Sequence, residues 1–148
     1  MRMVASHHAE TIRRALDGAY ERLGRPECRK LFTDFVDLEG RPLQQRLDGL
    51  NLDGQQFLRF VGFYEGYGHK RCERASVMAF TQPGSLAVRV CPQIAKGDRE
   101  IVELILIHEM LHSLGLGENP PSTFEITRQV MRRCGGGDKS ATVRTATR

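Results

Sequence analysis

The stretch from Asp98 to Gly115, DREIVELILIHEMLHSLG, constrains the fold more than any other part of the chain. From Ile101 onward it is apolar for longer than a single strand runs, so it is predicted to be a buried helix with Asp98 as N-cap and Gly115 at its end. Within it His108 and His112 stand four positions apart, with Glu109 next to the first. That spacing puts both imidazoles on one helical face, one turn apart, where they can reach the same metal ion. Two histidines and a glutamate within five residues of an otherwise apolar helix are costly to bury unless something pairs them. A metal ion meets that requirement, and Glu109, one step round the helix, can touch a water on the metal without having to ligate it.

Around this helix the pattern is that of an α+β domain. Ile12, Leu16, Ala19, Tyr20 and Leu23 recur at helical spacing between Ala9 and Leu23, and Gly24 and Pro26 stop the pattern. A short helical turn is expected in PECRKLFTDFVD and another short helix at Leu43, Leu47 and Leu50. Three strands are expected at 57–66, 76–81 and 86–91, the last two joined as a hairpin by Gln82-Pro83-Gly84-Ser85. Ser122 and Glu125 form a capping box that opens a final helix with Ile126, Val130 and Cys134 on one face. The 148 residues suit one domain, read as 1–134, followed by a flexible tail at 135–148 that lacks apolar periodicity.

A net charge of +4 would suit an acidic partner, but the basic residues are scattered and sit beside acids, as in Arg99-Glu100 and Arg71-Cys72-Glu73-Arg74. They read as solvated faces, which argues against a nucleic-acid partner. The longest apolar run, Ile101 to Ile107, is broken by Glu103 and is far too short to span a bilayer, so no membrane partner is expected. Four well-separated cysteines, with no Cys-x-x-Cys pair, could form two disulfides in an oxidising compartment. Cys72 and Cys91 flank the hairpin and could bridge it, leaving Cys28 to Cys134; three connectivities are open, as is the alternative of four reduced, buried thiols. The first residues lack the apolar core of a secretory leader, which by itself implies a cytoplasmic chain, whereas the cysteines imply a secreted or periplasmic one whose leader is not part of this sequence. His69 reads as an exposed loop histidine.

HEMLHSLGLGE, residues 108–118, resembles the metzincin pattern of the zincin metallopeptidases, with Glu118 where the third histidine stands. The likeness covers these eleven residues. It implies Zn2+ held by His108, His112 and Glu118, with Glu109 as general base and Gly115 letting the chain swing out of the helix. Gluzincins instead take a glutamate from a following helix, which makes Glu125 the alternative third ligand. A carboxylate ligand implies a weaker Lewis acid and activity at neutral to mildly alkaline pH. The resemblance also implies a zincin-like fold, a short mixed sheet on helices with the active-site helix central, and a peptide or protein substrate added along a sheet edge, the hairpin near 86–91 being the candidate. Tyr64 and Tyr67 are read as packing or exposed residues rather than oxyanion donors. Met131 falls within the final helix and is read as core, so no Met-turn is expected.

Two further functions compete. A metal-dependent endoribonuclease of ribosomal RNA maturation has a similar histidine pair followed by a glycine and a third histidine, but this chain has Gly117-Glu118 in place of the Asp-His ending. A non-catalytic, zinc-stabilised binding module would need His108 and His112 but not Glu109. Peptide deformylases share the helix motif, but their Glu-Gly-Cys segment is missing here.

Overall fold

The computed structural model describes residues 2–3 and 8–137. Helix α1 (Ala9–Leu23) is followed by the short helices α2 (Pro26–Arg29) and α3 (Leu31–Asp34), then α4 (Leu43–Leu50) and α5 (Gly54–Phe60). A four-stranded mixed sheet consists of β1 (Arg2–Met3), β2 (Gly62–Glu65), β3 (Ala79–Phe80) and β4 (Ala87–Val90) in the order β1-β2-β4-β3. Strands β1, β2 and β4 run parallel, with Phe63 opposite Val88, and β3 closes one edge antiparallel, with Phe80 opposite Arg89. Helices α6 (Arg99–Ser113) and α7 (Thr123–Cys134) complete the α+β architecture. Among the described residues no helix is long and apolar enough to cross a membrane.

Helix α6 is central because it is apolar nearly all round, and such a helix has to be covered on every side. It packs against α1, α7, β3 and β4. Its residues Leu106, Ile107, Met110 and Leu111 are fully buried beside Leu16, Leu23, Val88 and Ile126. Asp98 occupies the N-cap position, but its side chain makes no capping bond. The capping box of α7 forms as expected, with Glu125 N donating to Ser122 Oγ and Ser122 N to Glu125 Oε1, each at 3.1 Å.

The first expected strand, 57–66, is helix in its first four residues and strand β2 in its second half. Residues 57–60 belong to α5, because Asp53 and Gln56 form a second capping box that starts a helix before Phe57 and Leu58, and extended backbone begins only at Val61. Both expected disulfides are present: Cys28–Cys134 joins α2 to α7, and Cys72–Cys91 ties the loop before β3 to the end of β4. Residues 135–137 lie against α1, where Arg22 Nη1 donates to Gly136 O at 2.6 Å and Arg25 Nη1 to Gly137 O at 2.9 Å. The remainder of the segment read as a tail, 138–148, lies outside the described residues.

Glu103, the one charge in the apolar run of α6, is buried and held by two arginines: Arg22 Nε donates to Oε1 at 2.8 Å and Arg99 Nε to Oε2 at 3.1 Å. Gly18 of α1 provides the space, since a Cβ there would stand 2.0 Å from Glu103 Oε2. With both carboxylate oxygens clamped, the side chain cannot swing aside. Gly18→Ala is therefore expected to cost about 1–3 kcal/mol. Gly49→Ala, in open space on α4, should instead stabilise by up to about 1 kcal/mol through helix propensity. Urea denaturation of the two variants checks the opposite signs.

Candidate metal centre

His108 and His112 lie on the buried face of α6 with ring centroids 5.1 Å apart. Each commits its Nδ1 elsewhere. His112 Nδ1 is 2.7 Å from the carbonyl oxygen of Leu116, which can only accept, so Nδ1 donates and the lone pair of the neutral ring lies on Nε2. His108 Nδ1 stands 3.1 Å from Thr127 Oγ1, which reaches across from α7. Nδ1 bonds of this kind orient histidines that bind metal through Nε2. His112 Nε2 is buried and, among the described residues, has no hydrogen-bond partner. Leaving a ring nitrogen buried and unsatisfied is unfavourable, which marks the atom as a place for a ligand.

The chain leaves α6 through Gly115, whose φ of +123° is costly for a residue with a side chain. Leu116 then forms a bridge with Asp37, which places its carbonyl at His112 Nδ1 and carries the chain on to Glu118. Glu118, 42 % exposed, brings Oε1 to 3.5 Å from His112 Nε2, an ion-pair distance for a charged imidazole but too long for a hydrogen bond. Glu125 is occupied by the α7 cap, where bonds from Ser122 hold its carboxyl below the usual range. The fold thus brings His108, His112 and Glu118 into one neighbourhood and leaves Glu125 in the cap. Among the described residues no three His, Cys, Asp or Glu side chains converge tightly enough to form a metal-holding group as they stand.

Electrostatics here are set by burial. Desolvation, with His112 alongside, lowers His108 to about 3, so the ring is neutral and its lone pair is available at ordinary pH. Desolvation and the charge of Glu118 raise Glu109 to about 8, against the opposing pull of Arg71. These directions fix how the metal-free protein responds to pH. Glu109, raised from 4.5, contributes stability that is complete below pH 4.5 and is lost as pH rises through 8. His108, lowered from 6.5, contributes stability that is complete above pH 6.5 and is lost as pH falls toward 3. The two slopes cancel between 4.5 and 6.5. Thermal midpoints of chelated protein should be level across that window and fall on either side of it. In Glu109→Gln the fall above pH 6.5 should vanish, and its persistence would refute the assignment.

Several expectations about nearby residues need correction. Strand β4 is internal, between β2 and β3, so the free edge of the hairpin beside α6 is β3 and not the 86–91 arm. Met131 is 53 % exposed on α7 rather than in the core, because Ile126, Val130 and Cys134 form the buried face of that helix. Tyr67 is exposed, and Tyr64 is half-buried beneath the Arg89 guanidinium. His69 is exposed, as expected, and accepts a hydrogen bond from Arg71 N. Sequence reading missed Thr127, the Leu116 carbonyl and Asp37. For Thr127 a faint signal exists, a polar residue directly after Ile126 on a helix whose apolar face turns toward α6. Comparison with protein-family models, curated proteins and solved structures returns no match.

Proposed function

We propose that this chain is a zinc metallopeptidase of the zincin type that hydrolyses peptide bonds, with His108, His112 and Glu118 as metal ligands and Glu109 as general base. The observation that carries the reading is His112 Nε2, buried and unpartnered on a ring already fixed by its other nitrogen, with the Glu118 carboxylate drawn up to it. Two imidazoles fixed at Nδ1, together with the Glu118 carboxylate, are a donor set that suits zinc. Zinc held there would supply a polarised carbonyl and a water of lowered pKa. Glu109 lies one residue from His108 on the same helix and, among the described residues, has no hydrogen bond that would tie up its carboxyl; its part is to take the proton of the attacking water and deliver it to the leaving amine. Strand β3 beside α6 is an edge of the sheet among the described residues, where an extended peptide can align as a further strand. The two disulfides fit an oxidising compartment, and we place the protein outside the cytoplasm, in a secreted or periplasmic setting.

Elemental analysis of purified protein tests the ligand set. Wild type should contain close to one zinc per chain, Glu118→Ala should lose most of it, and Glu125→Ala should keep it while losing about 1 kcal/mol through the cap. Loss at Glu125 alone would move the third ligand to α7. A folded wild type that takes up no zinc when it is offered would end the metallopeptidase reading.

A further inference from the structure

The turn Lys70–Glu73 is fixed far more firmly than an exposed loop requires. Cys72 is bridged to Cys91, and its N–H donates to His69 O at 2.9 Å. The amide of Gln93 reaches three carbonyl oxygens of the same loop, Cys72 at 3.0 Å, Arg74 at 2.9 Å and Val77 at 2.6 Å. What this scaffold carries is Arg71. Its guanidinium lies over the ring of Phe80, 4.6 Å from the centroid, and the His69 ring packs against the same phenyl at 4.6 Å. Phe80 belongs to β3, the edge strand that rests on α6, and the turn after β3 is fastened to that helix where Gly84 N donates to His112 O at 2.8 Å.

Arg71 is exposed and, among the described residues, pairs with no carboxylate, whereas Arg22, Arg41, Arg99 and Arg133 all do. The contact with Phe80 restrains the guanidinium on an exposed surface, where its N–H donors can be reached by a ligand. A planar fork held in this way suits a carboxylate, which can accept two parallel N–H bonds. Through Phe80 the guanidinium is carried on the strand packed against α6, the helix that bears His108, Glu109 and His112.

We propose that Arg71 is a specificity residue of the candidate metal centre, selecting ligands with a carboxylate near the group that the centre holds. The peptide nature of that ligand rests on the metallopeptidase reading above. The carboxylate can come from an acidic side chain or from a free C-terminus, and the probes separate the two. They are short peptides with an N-terminal hydroxamate to engage zinc, carrying Glu or Gln, each with a free or an amidated C-terminus, titrated calorimetrically into the zinc-loaded protein. Wild type should bind a carboxylate form about tenfold or more tighter than the fully neutral form. Arg71→Met should equalise the probes while leaving zinc content and affinity for the neutral probe unchanged, and Arg71→Lys should restore part of the preference. Equal affinities in wild type, or a preference that survives Arg71→Met, would overturn the proposal while leaving the metal centre standing. Failure of even the neutral probe to bind would overturn both.

Discussion

Glu109→Gln should leave zinc content unchanged and lower peptide hydrolysis by about 10²- to 10⁴-fold, the usual contribution of a positioned general base. The amide is nearly isosteric with the carboxyl, and Glu109 lies 7 % exposed on a helix already held by its neighbours, so the fold should tolerate the exchange. It should do more than tolerate it: burial disfavours the Glu109 carboxylate, and Gln removes that ionisation, so the chelated variant should be the more stable protein at pH 8. Loss of activity together with a gain in stability separates a catalytic role from a structural one. A cation at His108 and His112 would favour the carboxylate form, which lets the same residue serve as a base when the metal is present. Peptide turnover, zinc content and a urea midpoint on the same preparations check the three parts. If hydrolysis in Glu109→Gln equals wild type, with zinc in place, Glu109 is not the base and the water must be activated by another group.

The parts of this fold that could be read in advance are those whose signal is local. Helix α6 follows from run length and α7 from a capping box within four residues, and both appear where expected. The opening of β2 was misread for an equally local reason. Phe57, Phe60 and Val61 carry strand propensity, but the Asp53 and Gln56 box begins a helix before they are reached, and Phe57, Leu58 and Val61 are then buried. Propensity is a weaker constraint than a pair of satisfied backbone donors.

What could not be read depends on partners far apart in the chain. That β3 rather than β4 forms the edge depends on β2 pairing with β4, which no pattern within the hairpin reveals. Arg22 meets Glu103 across 81 positions, so Glu103 looks in sequence like a flaw in an apolar run and in the fold is the clamp between α1 and α6. The same holds at the candidate site. The histidine spacing is legible because a helix turns every 3.6 residues, but the groups that fix the rings, Thr127 and the Leu116 carbonyl, become neighbours only once α7 has docked and the chain has turned at Gly115. Sequence therefore indicates which side chains could act and leaves out what orients them.

Replacing both members of Cys28–Cys134 by Ala should be the most destabilising of the changes considered, because that bridge closes a loop of 106 residues. Constraint of the unfolded chain makes such a bridge worth about 4–5 kcal/mol, against about 3 kcal/mol for one like Cys72–Cys91, with its separation of 19. In a domain of this size the larger figure is about half of a typical total stability. The native side should change little, since Ile126 and Val130 remain buried and Arg133 still binds both oxygens of Asp34, at 2.8 and 3.0 Å, and pairs with Glu27. Helix α7 should thus stay docked, with Thr127 still at His108, and zinc content under native conditions should be preserved. Urea unfolding should show a midpoint shift larger for Cys28→Ala/Cys134→Ala than for Cys72→Ala/Cys91→Ala. The reverse order would mean that the unfolded chain keeps α2 and α7 together without the bridge. The shorter bridge should reveal itself differently, since it anchors the turn bearing Arg71: its removal should weaken discrimination between charged and neutral probes more than it lowers the midpoint.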